Sequence, residues 1–210
     1  LSWFLARNTS QRYNYVYDQI ICFGELLSTK ILSAYLNLLQ IDNHWLDVRN
    51  YIRTDSNYRD AKVNWILTQQ IINDKLDLNK LNITQGFLGG NDTENTTSLG
   101  REGSDYTAGI FAYCLNAESV TIWKDVPGIL NADPRVFKET TLIEQISYEE
   151  TIEMAFYGAS VIHPKTIKPL QNKEIPLFVK SFLNPKNSGT IVSKGVRLNP
   201  YIPCFIVKIN

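Results

Sequence analysis

Thr97-Ser98-Leu99-Gly100-Arg101-Glu102-Gly103-Ser104-Asp105 follows a strand-like run ending in Gly86-Phe87-Leu88-Gly89-Gly90 and leads into a helix of small residues. Glycines let a backbone come close to a ligand. A helix beginning at Ser104 aims its N–H groups and the positive end of its dipole at whatever lies in front. Arg101 adds a guanidinium fork that grips carboxylate or phosphate bidentately, and Asp105 adds one fixed negative charge. Together these residues suit a site where an anionic substrate meets a phosphate donor. A polar surface loop closed by a capping serine has the same composition, and neither a Walker A loop nor a GxGxxG triplet is present.

A second loop of related chemistry, Ile122-Trp123-Lys124-Asp125-Val126-Pro127-Gly128-Ile129-Leu130-Asn131-Ala132-Asp133-Pro134-Arg135, closes the next strand. Lys124 can meet a polyphosphate as a point charge and Arg135 can chelate it. Asp125 can accept from a ribose or orient Lys124. A Pro-Gly and Asp-Pro turn with solvated charges is the alternative reading.

Outward from these loops, apolar spacing predicts helices over Asp18–Leu39, Arg59–Asn79, Ser104–Leu115 and Thr166–Asn172, with another starting at the capping box Ser147-Tyr148-Glu149-Glu150. In the first, Ile20, Phe23, Leu27, Ile31, Tyr35 and Leu38 recur at helical steps; in the second, Val63, Ile66, Leu67, Ile71 and Leu76 line one side. Strands are expected at His44–Val48, Leu81–Phe87, Ser119–Lys124 (of the buried type), Ile175–Ser181 and Thr190–Ser193. Strands alternating with helices imply an α/β fold, a three-layer αβα sandwich around a mainly parallel sheet. Ligands then sit beyond the carboxyl ends of the strands, where both loops land. Asn199-Pro200-Tyr201-Ile202-Pro203 reads as a linker before a new strand.

The chain has 210 residues, 44% hydrophobic and 20% charged, which fits a globular domain with a real core. Lys+Arg and Asp+Glu balance at 21 each, so nothing in the charge favours nucleic acid or an anionic membrane. No apolar run approaches the roughly 20 residues that span a bilayer. Cys22, Cys114 and Cys204 lie far apart without metal-ligand spacing, so no metal site is expected in protein ligands alone. They read as buried hydrophobes in a reducing, cytoplasmic setting. The sequons at Asn8, Asn82, Asn91 and Asn95 are put down to chance in a chain without a signal-peptide pattern. His163 reads as a structural residue that starts a helix before Pro164, and His44 as ordinary strand packing.

Together the two loops resemble those of the aspartate kinase family within the amino-acid-kinase superfamily. The resemblance extends to Phe23-Gly24-Glu25-Leu26-Leu27-Ser28, Trp45-Leu46-Asp47-Val48-Arg49, Thr84-Gln85-Gly86-Phe87-Leu88-Gly89, Ile146-Ser147-Tyr148-Glu149-Glu150 and Gly158-Ala159-Ser160-Val161-Ile162-His163-Pro164. It covers roughly Tyr17 to Lys194 in order, and the tail Pro203–Asn210 resembles the opening of an ACT regulatory region. It implies the amino-acid-kinase fold and ATP-dependent phosphorylation of the side-chain carboxylate of L-aspartate to 4-phospho-L-aspartate, the first step toward lysine, threonine and methionine. By position, Glu25 would bind the substrate ammonium and Arg101 a substrate carboxylate, with Ser104 in support. Asp105 would organise the reacting groups. Gly89, in the Gly86–Gly90 turn, would let backbone N–H groups approach the transferred phosphoryl. Lys124, Asp125, Leu130 and Arg135 would line the ATP site, with Mg2+ bridging the phosphates.

The implied domains are a catalytic domain over residues 1–195, a linker over 196–202, and the first strand of an ACT-like domain over 203–210. A homodimer through the regulatory region and a lysine or threonine effector are implied as well. The family's N-terminal Lys-Phe-Gly-Gly strand is not in this sequence, so this chain alone is expected to be inactive. Many family members carry Lys where this chain has Ser160 and Thr where it has Lys124, which suggests that Lys124 supplies the displaced cation. Other readings stay open: a kinase of the same fold acting on acetylglutamate, glutamate or a nucleotide, or a regulatory subunit without turnover.

Overall fold

The computed structural model describes residues 13–158, 161–195 and 202–206. The chain divides into two compact units, Leu1–Thr107 and Ala108–Asn210. In the first, a long helix, α1 (Tyr13–Leu38), precedes a short strand, β1 (Asn43–Trp45), and a single 3-10 turn at Val48–Asn50. Helix α2 (Trp65–Lys75) and strands β2 (Leu81–Ile83), β3 (Leu88–Gly90) and β4 (Thr96–Ser98) follow. β1 and β2 pair in parallel, whereas β3 and β4 form an antiparallel hairpin.

Several boundaries differ from expectation, each for a local reason. β1 stops at Trp45 because Asp47 caps the 3-10 turn, its side chain accepting from the Arg49 N–H. Burial alone would raise the Asp47 carboxyl, but the hydrogen bonds and charge of Arg49 outweigh it and hold it below the ordinary carboxylate range. β2 stops at Ile83 because the buried Gln85 side chain serves other backbone, accepting from Val48 N at 2.9 Å and donating to Leu46 O at 3.0 Å. α2 begins at Trp65 rather than Arg59. Asn64 caps it, and Thr54 bridges Val63 in antiparallel fashion, which keeps the preceding residues extended. Its buried residues are Thr68 and Ile72, and the predicted stripe residue Ile66 is 84% exposed.

α1 turns its other side inward. Phe23, Leu27, Ile31, Tyr35 and Leu38 are exposed, and the buried residues are Asp18, Cys22 and Ser33. Hydrogen bonds help attach this face. Ser33 Oγ donates to Asn43 Oδ1 at 2.6 Å, and Thr29 Oγ1 accepts from Trp45 Nε1 at 3.1 Å and Gln85 Nε2 at 2.8 Å.

The second unit holds a four-stranded sheet of order β5-β7-β8-β6: β5 (Val120–Lys124), β6 (Gln145–Ser147), β7 (Leu177–Ser181) and β8 (Thr190–Ser193). β5 pairs with β7 and β6 with β8 in parallel, and β7 meets β8 antiparallel, so three of the five ladders in the described residues are parallel. β5 is an edge strand, and it is half-buried, not fully buried as expected: Val120 and Ile122 face in, Thr121 and Trp123 face out. Helix α3 (Gly103–Leu115) carries the division between units, and α4 (Tyr148–Tyr157) and α5 (Pro164–Asn172) lie wholly in the second. The capping box forms as expected: Ser147 Oγ accepts from Glu150 N, and Glu150 Oε2 accepts from Ser147 N. Ile122, Ile143, Ile146, Tyr148, Leu170, Leu177 and Val179 form the core of this unit. The buried Tyr148 hydroxyl donates to Ile175 O at 2.6 Å, and burial pushes it up to about 12. Cys22 and Cys114 are buried free thiols, and burial raises both, Cys114 to about 11. His163 caps α5, its Nδ1 accepting from Lys165 N at 3.2 Å, as its predicted structural role requires.

Candidate active site

In the first unit the decisive stretch folds as a strand, a tight turn and a helix start. Leu99 N donates to Phe87 O at 2.8 Å, Gly103 N to Gly100 O at 3.1 Å, and Tyr106 N to Glu102 O at 3.1 Å, the first bond of α3. The facing turn, Gly86–Phe87, abuts this helix start at backbone distance. A Cβ on Gly86 would lie 2.8 Å from Ser104 Cα, so only glycine fits. Phe87 has φ +70° and donates its N–H to the Thr107 hydroxyl at 3.0 Å, which itself donates to Gly103 O at 2.9 Å. The turn is therefore fastened to the first helical turn, where an α-helix leaves its N–H groups without intrahelical acceptors.

Arg101 is exposed two residues before that helix and forms no ion pair among the described residues. Ser104 is exposed in the first turn, and Asp105 is half-buried there, a favourable place for an acid against the helix dipole. Glu102 is unusual, with φ +53° and a buried Oε2 that has no hydrogen-bond partner. Glu25, half-buried on α1, makes no side-chain hydrogen bond or ion pair among the described residues. Gly89 is buried within β3, where a Cβ would meet Thr54 Cγ2 at 2.7 Å and Thr97 Oγ1 at 3.3 Å, so its missing side chain makes room for packing. Glu25, Gly89, Arg101, Ser104 and Asp105 thus all belong to the first unit.

Lys124, Asp125, Leu130 and Arg135 all belong to the second unit. Lys124 ends β5 opposite Ser181 of β7, and because the pair is parallel, both carboxyl ends share one edge. Asp125 is exposed just beyond. The loop then folds back over the sheet. Gly128 has φ +151°, and a Cβ there would lie 2.5 Å from Thr190 Oγ1. That buried hydroxyl accepts from Ile129 N at 2.8 Å and donates to Ile143 O at 2.6 Å, anchoring the loop. Leu130 bridges Leu142 in antiparallel fashion. Exposed Arg135 pairs with half-buried Asp133, its Nη2 2.7 Å from Oδ2, and the hydrogen bonds hold the Asp133 carboxyl below its usual range. A polyphosphate would have to compete with that carboxylate for Arg135. Phe205 bridges Ala132, and its ring lies 5.7 Å from that of Phe137.

Three groups of residues escaped sequence reasoning. Asp18 and Gln19 bond to β4, Gln85 ties β1 to α1, and Thr190 holds the second loop. For Asp18 a signal existed. Asp18, Cys22, Glu25, Thr29 and Ser33 form a stripe of small polar residues at three- and four-residue steps, opposite the apolar stripe. Ser160, the position set against Lys124, lies outside the described residues, as do parts of the expected linker and final strand.

Among the described residues no three His, Cys, Asp or Glu side chains gather as a metal cage. None of the described helices is long and apolar enough to cross a membrane.

The chain is 38% identical over 197 residues to the lysine-sensitive aspartokinase 3 of Escherichia coli, covering 92% of this chain and 44% of that protein. It is 36% identical over 183 residues to the chloroplastic aspartokinase 1 of Arabidopsis thaliana, covering 84% and 32%. It therefore spans less than half the length of these relatives. The structure of E. coli aspartokinase III in complex with aspartate and ADP, in its R-state, superposes with a TM-score of 0.88 at 36% identity, covering 93% of this chain and 44% of that one. A UMP kinase from Ureaplasma parvum, 18% identical with a TM-score of 0.57 over 82% and 68% of the two chains, shares the fold alone. The model of the amino acid kinase family matches residues 4–181. The chain belongs to the amino acid kinase family.

Proposed function

We propose that the protein carrying this chain phosphorylates the side-chain carboxylate of L-aspartate with ATP. The observation that carries this reading is Arg101: an exposed guanidinium without an ion-pair partner among the described residues, two residues ahead of an α3 N-terminus that packs against a turn only glycine permits. Arg101 grips one substrate carboxylate, and Glu25, in the same unit, accepts from the substrate ammonium. An amino acid with one ammonium and two carboxylates matches that set of charges. The bound aspartate and ADP of the E. coli relative support the same choice.

The reaction needs positioning more than proton transfer. The acceptor carboxylate is already ionised near neutral pH, so it attacks the γ-phosphorus without a general base. An oxygen–phosphorus bond forms, the bond from the γ-phosphorus to the bridging oxygen breaks, and its electron pair leaves on ADP. Both reactants are anionic, so cations must offset their charge: Arg101 and the α3 N-terminus that of the amino acid, Lys124 that of the nucleotide. Lys124, Asp125, Leu130 and Arg135 of the second unit serve the nucleotide. Mg2+, when bound, would neutralise part of the phosphate charge.

The proposed domain plan is a catalytic domain to residue 195, a linker to 202 and an ACT-like strand from 203. A lysine or threonine effector and a homodimer through that region complete it. The structure of E. coli aspartokinase III with lysine and aspartate supports the effector. A coupled assay of ADP release by the full-length protein tests the reading. Release that depends on aspartate supports it, and release that ignores aspartate but follows acetylglutamate or UMP overturns it.

A further inference from the structure

Asp18 is fully buried on α1, 80 positions before the strand it serves. Its Oδ1 accepts from the Ser98 hydroxyl at 2.7 Å, and its Oδ2 accepts from Ser98 N and Arg59 N, each at 2.9 Å. Ser98 O accepts in turn from Ala61 N at 2.9 Å, so every polar atom of Ser98 is engaged. Next to it, Gln19 closes a pair of bonds on Thr96, donating from Nε2 to its carbonyl at 2.7 Å and accepting its N–H at 3.1 Å. The 59–60 turn that Asp18 also holds backs directly onto the Arg101 loop: a Cβ on Gly100 would lie 2.7 Å from Asp60 Oδ1 and 3.2 Å from Arg59 O.

Asp18 and Glu25 are seven residues apart, two helical turns, so they share one face of α1. The same rigid element carries the proposed anchor for the substrate ammonium and clamps the strand that ends three residues before Arg101, the proposed anchor for its carboxylate. We infer that Asp18 is a positioning residue: by clamping Ser98 and the Arg59 turn to α1, it fixes the separation between Glu25 and Arg101, and so the fit for the amino-acid substrate. This rests on the function proposed above. An apolar residue could fill the same space but would set no register. A carboxylate accepting three hydrogen bonds defines position at both oxygens, and misplacement of a positioning group is costly to binding and rate.

The experiment compares the full-length wild-type enzyme with Asp18→Asn, whose amide has only one acceptor oxygen, and Ser98→Ala, which deletes only one hydroxyl. KM is measured separately for aspartate and for ATP, since a merely structural defect lowers the active fraction without splitting the two. Asp18→Asn is expected to raise the aspartate KM about tenfold or more and leave the ATP KM within about twofold, with a smaller rise of the same kind for Ser98→Ala. Two constants that rise together, or an aspartate KM that stays put in both variants, overturn the inference. If Asp18→Asn does not fold, Ser98→Ala decides by the same split. If the wild-type protein makes no phosphoaspartate, the proposed function fails, and the clamp is judged by tryptic cleavage after Arg101. Faster cleavage in the variants than in wild type upholds the Asp18 clamp on the Arg101 loop; equal rates refute it.

Discussion

At the residue scale, a spacing argument reads charge and position but not the pairs a side chain makes. Arg101 and Lys124 stand out because a cation near glycines and a strand end has few structural uses, and Arg101 forms no ion pair among the described residues. The pattern around Arg135 suggests phosphate binding, and in the structure Asp133, two residues earlier, pairs with its fork. Local pairing of that kind is invisible to a spacing argument, because many side-chain geometries share one sequence. Arg101→Ala should remove a charge-assisted pair to substrate worth about 2–3 kcal/mol, lowering kcat/KM for aspartate about 30- to 150-fold. Arg101→Lys should recover only part of this loss, since an ammonium cannot bind both carboxylate oxygens in one plane. Lys124→Thr is expected to raise the ATP KM or collapse kcat and leave aspartate binding intact. Unaltered kinetics in that variant would rule out a cationic role at the nucleotide.

At the element scale, helices were found and their faces were not. The periodicity of α1 located its apolar stripe correctly, yet that stripe is exposed and the polar stripe of Asp18, Thr29 and Ser33 makes the contacts. Periodicity reports a two-sided helix, and hydrogen-bond partners 10 to 80 positions away decide which side attaches. The hairpin of β3 and β4 went unread for a related reason: each strand has only three residues, Gly89 and Gly90 supply no strand propensity, and the pairing depends on buried threonines such as Thr97, whose hydroxyl lies 2.6 Å from that of Thr54. At the start of α3, Glu102 holds a left-handed backbone and buries an unsatisfied carboxylate oxygen. Glu102→Gly should relieve both and stabilise the fold by about 1 kcal/mol, raising Tm by roughly 2–4 °C in a thermal melt. Glu102→Ala keeps a Cβ at the same φ and should recover less.

At the scale of the whole molecule, alternation of strands and helices sufficed for the α/β class, and the short ladders of each unit were below its reach. The division at residue 107 falls inside α3, where no composition shift, linker or glycine cluster marks it. The core of the second unit carries its own pH signature. Tyr148 is held protonated by burial, up to about 12, and so binds its proton more tightly folded than unfolded. The stabilisation it contributes is complete below the ordinary tyrosine value near 10 and is lost as pH rises through about 12. Tyr148→Phe should therefore be less stable than wild type in denaturant titrations at pH 8, with the gap narrowing steadily above pH 10. The proposed activity itself is most directly tested by trapping acyl phosphate with hydroxylamine, using the full-length protein, ATP and Mg2+ with L-aspartate, L-glutamate or N-acetylglutamate in turn. Hydroxamate from aspartate alone, abolished in Arg101→Ala, is the expected result; hydroxamate from one of the other acids, or none from any while ATP still binds, would contradict it.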